Sequence, residues 1–396
     1  MTADTHPLHE RPARVSWTND PAIRGIVVQA LVVALLIAFV WWIAHNAAEN
    51  LRALGKTFGF GFLEGRAGFD IAQKPVAFTP DASYARALLV GLTNTLIIAV
   101  CGIAMATVLG FLVGIGRLSH NVLIRGLSTT YVEIFRNIPP LLVIIFWYNG
   151  VLSVLQPPRN LQPSSLGVYL TNRGLQTPRF LFEPLAWATL GALVLGIALT
   201  VFLSAANARR QAATGQRRPM LLPALGLIVG LPVIVFLATG IPATLEMPAA
   251  TRFNLVGGFQ IAPEFLAMFL ALSIYTGAFI AEIVRAGIMA VSKGQTEAAS
   301  ALGLTRWQML RLVIVPQAFR VIIPPLTSQY LNLTKNSSLG LAVGYADLVA
   351  VGNTVLNQSS RSIEIVAVWI AAYLTISLIV SLAMNIFNAR MALVER

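Results

Sequence analysis

The chain alternates between long apolar runs and short polar links. A helix of about 20 predominantly apolar residues crosses the hydrocarbon layer of a bilayer. Prolines and polar residues interrupt the third and seventh runs. In the third run, Pro139 and Pro140 predict a kink or break in the helix. The pattern predicts an all-α membrane protein with about eight transmembrane helices. They cover residues 26–45, 88–116, 131–155, 185–203, 221–239, 265–288, 321–339 and 365–387.

The basic residues of the links indicate how these helices are oriented. If the N-terminus lies in the cytoplasm, the inner links hold 16 lysines and arginines and the outer links hold 10. Cytoplasmic links of membrane proteins carry such an excess. The contrast is sharpest at the inner cluster "ARRQAATGQRR". We therefore predict a multi-pass protein with both termini in the cytoplasm, whose first helix is a retained anchor.

Composition excludes several classes of protein. The chain is 56% hydrophobic and 11% charged, whereas a soluble domain carries about 25% charged residues. The net charge of +12 lies in links between apolar runs, so nucleic-acid binding is not expected. A single thiol, Cys101, excludes an internal disulfide. The four histidines are scattered, and no metal site is predicted.

Two regions resemble additions to a denser unit. One is the outer link before the second helix, and the other lies between the third and sixth helices. The glycine pairs of "GFLVG" (110–114) and "GLIVG" (226–230) predict close helix packing. The predicted division is a cytoplasmic arm (1–25), a first transmembrane helix (26–46), a periplasmic link (47–86), a core part (87–155), an insertion with two extra transmembrane helices (156–263), a second core part (264–388) and a cytoplasmic tail (389–396).

A short polar stretch, "GQTEAASALG" at 294–303, separates two apolar runs on the predicted cytoplasmic side. Residues 292–304 are rich in helix formers. Ser292 is suited to cap the helix start and Gly303 to end it. Small side chains let another backbone approach closely, and the carboxylate of Glu297 gives such a contact a register. A solvated helical loop without a partner is the alternative.

The stretch "EAASALGLTRWQMLRLVIVP" resembles the EAA loop of ABC importer permeases. Its motif residues are Glu297, Ala298, Ala299 and Gly303, followed by the pair Val315 and Pro316. The segments "YTGAFIAEIVRAGIMAVSKGQTEAASALG", "VIVPQAFRVIIPPLTSQYLNLTKNSSL", "LTNTLIIAV" and "EIFRNIPPLLV" are similar to the polar amino acid branch. The resemblance covers about half of the chain. The extra length is similar to the long permease subunits of broad-specificity L-amino acid importers.

The resemblance implies a type I ABC importer permease core (MetI-like) with extra helices, in the bacterial inner membrane. It implies as partners two ATPase subunits, a second permease subunit or a second copy, a periplasmic amino-acid-binding protein and an L-amino acid. The EAA loop would form the coupling helix that docks on the ATPase. The residues expected in this role are Gly294, Glu297, Ala298, Ala299, Gly303 and Leu304.

The resemblance also implies that this chain performs no chemistry. ATP and Mg²⁺ would bind to the partner ATPase subunits, with no cofactor in this chain. A phosphate loop needs a glycine, four intervening residues and then Gly-Lys-Ser/Thr. The match "LGKT" at 54–57 has Asn50 at the position of that glycine, so we interpret it as chance.

Polar residues at membrane depth face a protein interior or a water-filled path. "NLTKNSSL" contains Lys335, which lines the pathway or extends to the outer headgroups. Glu282 and Arg285, three residues apart, are predicted to form a structural ion pair. Ile138 replaces the threonine of many relatives, which weakens any inherited substrate role there. The pathway candidates are Tyr275, Thr276, Asn332, Lys335, Asn336, Ser337, Ser338 and Asn137.

Alternatives to the broad-specificity importer remain at this point. One is the same kind of permease for a narrower class: glutamate, glutamine, aspartate and asparagine, basic amino acids or opines. Another is a secondary transporter, but such proteins often carry acids deep in their helices, whereas here the acids cluster near helix ends. A membrane enzyme would need a cluster of His, Asp or Glu, which the sequence does not show.

Overall fold

The computed structural model describes residues 21–53, 58–158, 164, 166–216, 219–241, 243–251 and 254–391. Within these residues the chain is mainly helical, with short strands in one region. The helices are α1 (Pro21–Ala53), α2 (Tyr84–Gly116), α3 (Val122–Arg136), α4 (Pro140–Ile145), α5 (Ala186–Thr214), α6 (Leu221–Leu225), α7 (Leu231–Ala238), α8 (Pro263–Met289), α9 (Lys293–Ala301), α10 (Arg306–Met309), α11 (Val315–Asn336), α12 (Leu348–Ser359) and α13 (Ser362–Met391).

The described helices include seven that are long and apolar enough to cross a membrane. They become eight when α3 and the helix Pro140–Leu152, bent by 109° relative to each other, count as one broken span. The predicted number is therefore confirmed, and the bend lies in the run where irregularity was expected. The seven spans are Arg24–Asn50, Tyr84–Gly116, Ala186–Thr214, Leu221–Ala238, Pro263–Met289, Arg306–Val343 and Ser362–Ala389.

Helices α2 and α8 form the tightest pair of the bundle. An ideal Cβ at Gly110 would lie 2.4 Å from Cγ2 of Ile280, and one at Gly114 would lie 2.7 Å from the carbonyl oxygen of Ala281. Only glycine permits this approach, as "GFLVG" predicted. Helix α11 reaches α8 in the same way, because a Cβ at Gly287 would lie 2.3 Å from Ile322.

Apolar side chains of α2, α4, α8 and α11 fill the main core. Burying such side chains contributes about 25 cal/mol per Å² of apolar surface in water, whereas in a bilayer close packing carries the association instead. The fully buried side chains of this core include Ile98, Ile144, Met268, Leu272, Ile280, Ile322 and Leu333.

Helices α5, α6 and α7 form a separate hairpin, and the second glycine prediction is wrong here. No atom of the described residues lies within 4 Å of a Cβ built at Gly226 or Gly230. The close approach comes instead from α5, where a Cβ at Gly196 would lie 2.0 Å from the carbonyl oxygen of Leu227. The small residue that permits contact therefore lies on the other helix.

Short strands flank this hairpin, and the sequence analysis did not predict them. They are β1 (Tyr169–Thr171), β2 (Gly174–Thr177), β3 (Arg179–Phe182), β4 (Ala243–Glu246), β5 (Ala249–Ala250), β6 (Leu255–Val256) and β7 (Phe259–Ile261). All the pairs are antiparallel: β1 pairs with β2, β2 with β7, β3 with β4, and β5 with β6. Because β7 ends just before Pro263, these strands lie at the end of the bundle where α8 begins.

Residues 58–83 form a cap over that same end. Ala67, Ile71 and Phe78 are buried against Ala87 of α2 and Val351 of α12. Following the orientation predicted from the basic residues, we call this the outer end of the bundle and the end with α9 the inner end. Residues 58–83 of the link predicted at 47–86 are therefore an ordered cap.

Several predicted boundaries differ from the observed ones. Helix α1 runs beyond residue 46 to Ala53, and α9 covers Lys293–Ala301 instead of 292–304. The cytoplasmic arm lies almost entirely outside the described residues, as do the end of the tail at 392–396 and the "LGKT" match at 54–57.

Candidate functional site

Helix α9 lies at the inner end and has a well-defined stop. Gly303 has φ +72°. Its N–H donates to Ser300 O at 2.9 Å, and the N–H of Leu304 donates to Ala299 O at 3.2 Å. These two bonds form a Schellman motif, which satisfies the last carbonyls of the helix. At the other end Ser292 occupies the N-cap position, but its side chain makes no capping hydrogen bond.

Most of α9 is open to solvent in this chain. Gly294, Glu297 and Ala298 are exposed, while Ala299 is buried. The exposed surface continues beyond the helix to Leu302 and Trp307, which are 80% and 71% exposed. Large apolar side chains in this setting commonly mark a protein contact.

One side-chain contact and one local helix cap set the position of α9 relative to α11. The side chain of Gln317 donates to Gln295 at 3.2 Å. Thr305 and Gln308 form a capping box at the start of α10, which leads into α11. Such a box satisfies free N–H groups at a helix start, so the turn between α9 and α10 is specified locally.

Helix α11 carries a polar stripe on one exposed face. Ser328, Asn332 and Lys335 are exposed, and their spacing of four and three residues places them on one side of a helix. Val321 and Pro325 continue this face toward the inner end. The sequence analysis identified Asn332 and Lys335 but missed Ser328, which the same spacing could have revealed. Asn336 and Ser338, also candidates, are partly buried at the end of α11.

The other candidates on α8 and α11 are less accessible. Thr276 is 2% exposed and Ser337 is fully buried, so both side chains lie within the subunit. Tyr275 is partly buried, with its ring 5.1 Å from that of Phe279. The structure therefore divides "NLTKNSSL" between an outward face and the core.

A polar network connects α2, the cap and the segment after α11 at the outer end. Asn94 donates to Gln73 O at 3.0 Å and to Ala346 O at 2.8 Å. Tyr345 donates to Asn94 O at 2.9 Å. The side chain of Gln73 also donates to Glu264 at 3.1 Å. The network thereby fastens the cap to α2 and α8.

Asp347 begins α12 within this network. It is fully buried and accepts from the N–H groups of Val349 and Ala350 at 3.2 and 2.9 Å. Tyr373 of α13 donates to it at 3.4 Å. Burial raises the pKa of Asp347 to about 6, because desolvation outweighs the hydrogen bonds that lower it.

The chain bends where α3 ends. Asn137 is the C-cap of α3 and donates from its side chain to Glu133 O at 2.7 Å. Pro139 and Pro140 then start the next helix, in agreement with the predicted kink. Asn137 is exposed at this corner.

Glu282 contacts three arginines at the inner end. Arg285 Nη2 lies 2.5 Å from its Oε1, so the predicted pair forms. Arg117, the C-cap of α2, makes a hydrogen bond to Oε2, and Arg136, the last residue of α3, lies 3.6 Å from the same oxygen. The sequence analysis missed Arg117 and Arg136. We call these four residues the Glu282 cluster.

The described residues contain no group of three or more His, Cys, Asp or Glu side chains that could hold a metal ion. The arrangement consists of an exposed inner helix, a polar helix face and ion-paired helix ends. It suits conformational coupling and passage of a polar solute, and it contains no recognisable set of reacting groups.

A protein with this arrangement and with seven or eight membrane-spanning helices is expected to be a membrane transport component. Residues 106–393 match the family described as binding-protein-dependent transport system inner membrane component. The chain belongs to this family, and the expected permease class is confirmed.

Full-length relatives agree with this assignment. The general L-amino acid transport system permease protein AapQ of Rhizobium johnstonii is 56% identical over 398 residues, 99% of this chain and 98% of the relative. The putative amino-acid ABC transporter permease protein YhdX of Escherichia coli is 48% identical, covering 96% and 97%. The glutamate/glutamine/aspartate/asparagine transport system permease protein BztB of Rhodobacter capsulatus is 42% identical, covering 95% and 96%.

Proposed function

We propose that this chain is a permease subunit of an ATP-driven importer of polar L-amino acids with broad specificity. The observation that carries the proposal is the full-length similarity to a permease named for general L-amino acid transport. The family description supports a binding protein as the source of substrate. The protein would lie in the bacterial inner membrane with both termini in the cytoplasm.

In this proposal the chain couples closure of the ATPase subunits to opening of the substrate pathway. A periplasmic binding protein delivers the amino acid to the outer mouth. Two ATPase subunits, which hold ATP and Mg²⁺, close on α9 and draw it toward its counterpart in a second permease subunit or a second copy. The helices then rock, and the pathway opens to the other side. This chain contributes no nucleotide site and no covalent step.

The exposed inner surface supports the coupling role of α9. Glu297 and Ala298 of the EAA motif are exposed, and so is Leu302 beside them. A short helix with small side chains suits a groove, and Glu297 would set its register. The Schellman motif at Gly303 gives the helix a sharp end.

The polar stripe of α11 supports a pathway role. A charged residue at membrane depth costs at least about 2.5–3.5 kcal/mol when it faces lipid. Lys335, Asn332 and Ser328 would avoid this cost by facing water or a second permease subunit. The ammonium group of Lys335 would then attract the substrate carboxylate.

A pull-down from native membranes tests the coupling role. The chain is purified in mild detergent with its copurifying proteins, beside Glu297→Lys and Gly303→Asp. The matched control is Asp81→Lys, which reverses an exposed charge at the outer end. We expect an ATPase with the wild type and the control that is lost from both α9 variants. Absence of an ATPase from the wild type, under conditions that keep other importers intact, would refute the proposal.

A narrower importer is the second candidate. The similarity to BztB, named for four acidic and amide amino acids, favours it. Competition uptake distinguishes the two candidates. Inhibition of glutamate import by basic and apolar amino acids supports broad specificity, whereas inhibition by aspartate, asparagine and glutamine alone supports the narrow class.

A further inference from the structure

Glu282 joins the inner ends of three helices at a position close to α9. It lies on α8 about two turns before that helix ends at Met289, and only residues 290–292 separate α8 from α9. A displacement of α9 is therefore passed to α8 through this short link, in parallel with the Gln317–Gln295 contact to α11. We propose that Glu282 is a positioning residue that transmits this displacement to α2 and α3. The inference rests on the proposed coupling role of α9.

The geometry of the carboxylate suits this task. Both oxygens of Glu282 accept from guanidinium groups, Oε1 from Arg285 and Oε2 from Arg117. The side chain of Arg117 is only 11% exposed, and that of Glu282 is 24% exposed. Charge-assisted hydrogen bonds in such partly buried sites are stronger than those between exposed groups. One carboxylate thus fastens the end of α2 to α8.

Helix α3 depends on the same carboxylate more than α2 does. Helix α2 is already held against α8 by the glycine contacts at Gly110 and Gly114. In α3 only Val132 is buried. Its contacts with α8 include Tyr131, which donates to Ile274 O, and Arg136, which reaches Glu282 and lies 5.7 Å above the ring of Phe279. Loss of the carboxylate would therefore loosen α3 first.

Charge balance distinguishes Glu282 from a nearby carboxylate. The three arginines of the cluster surround Glu282, whereas Glu133 is 61% exposed and lies 4.0 Å from Arg117 alone. Glu282→Gln leaves three cations without their shared anion. Glu133→Gln removes the same charge from the same end of the bundle but leaves all three arginine contacts of Glu282 in place, so it is the matched control.

The first experiment measures coupling in the complete transporter reconstituted in liposomes, with labelled L-glutamate as the probe. We expect Glu282→Gln to import at least about fivefold less glutamate per ATP hydrolysed than the wild type, which is the lower range of measured coupling between sites. Glu133→Gln should keep the wild-type ratio. An unchanged ratio in Glu282→Gln, or an equal loss in both variants, would overturn the inference.

A double variant separates transmission from stability. Glu282→Gln with Arg117→Gln removes one uncompensated buried cation, so we expect it to recover the amount of assembled complex. The ratio of import to hydrolysis should stay low, and Glu282→Asp should recover part of it because the charge remains. If the double variant recovers the ratio as well, Glu282 serves only to balance charge and the inference fails.

A distance measurement decides the same point without the ATPase. Spin labels on Leu127→Cys and Ala286→Cys, both exposed positions, report the separation of α3 and α8 in the permease with Cys101→Ser. We expect a broader distance distribution when Glu282→Gln is added and an unchanged one with Glu133→Gln. An unchanged distribution in Glu282→Gln refutes the positioning role. A missing ATPase in the pull-down refutes only the proposed function.

Discussion

Replacing Gly110 with alanine tests whether the α2–α8 contact is as close as the structure shows. The added Cβ would lie 2.4 Å from Cγ2 and 2.5 Å from Cβ of Ile280. Carbon atoms at optimal separation are about 3.5–4.0 Å apart, so the two helices would have to separate by roughly 1 Å. Ile280 is fully buried, and its branched Cβ cannot rotate out of the way.

The magnitude follows from two opposing effects. Overpacking of a filled core costs about 1–3 kcal/mol, while alanine gains about 1 kcal/mol over glycine in a helix. Gly126→Ala in α3 is the matched control, because its Cβ has no neighbour within 4 Å in the part of the chain that the structure describes. The helix preference is common to both variants, so their free energies of unfolding should differ by about 1–3 kcal/mol, with Gly110→Ala the less stable.

The assay is unfolding of both purified variants in the same detergent, followed by tryptophan fluorescence during heating and by loss of helicity on titration with dodecyl sulfate. The midpoint of Gly110→Ala should fall below that of Gly126→Ala in both measurements. Equal midpoints, or a more stable Gly110→Ala, would show that α2 and α8 are farther apart than the structure indicates.

Three further predictions concern the two ends of the bundle and the pathway. Gly303→Ala should destabilise the end of α9 by about 1–2 kcal/mol because of the positive φ at this position, and it should weaken ATPase copurification. The control is Gly215→Ala at the end of α5, which has a similar φ of +71° and should leave copurification unchanged. Lys335→Met should lower glutamate uptake at least about tenfold through loss of a charged hydrogen bond, with the amount of complex unchanged by immunoblot. Because burial raises the pKa of Asp347 to about 6 from 3.8, the folded state binds its proton more tightly, and wild-type stability should fall by about 2 kcal/mol as pH rises from 4 to 7. Asp347→Asn should show a smaller difference in melting temperature between pH 5 and 7.5.

Apolar runs and local motifs predicted the elements that depend on nearby residues. The length of each run fixed the number of spans, and Pro139 with Pro140 fixed the bend after α3. The stop at Gly303 was also predictable, because a Schellman motif involves only six consecutive residues. These features can be predicted without knowing which helices are neighbours in the fold.

Contacts between distant segments were not predictable from one sequence. The pair Glu282–Arg285 followed from helical spacing, but Arg117 lies 165 residues away along the chain. Likewise Gly196 and Gly226 have similar local sequences, and only the packing of the hairpin decides which one permits contact. The strands after residue 168 were missed because they are only two to four residues long.

The contacts between α2 and α8, compared with the exposed face of α11, indicate which parts of the subunit move relative to each other. The cap and Asn94 hold the outer ends of α2 and α8 together, the glycine contacts hold their middle, and Glu282 holds their inner ends. This pair therefore behaves as one rigid body. Among the described residues, the structure shows no such attachment on the exposed side of the polar stripe of α11. Because a polar face at membrane depth requires water or another protein, the proposed function implies that the pathway opens and closes between subunits, across Lys335 and Asn332, with the rigid pair as the lever that moves this face.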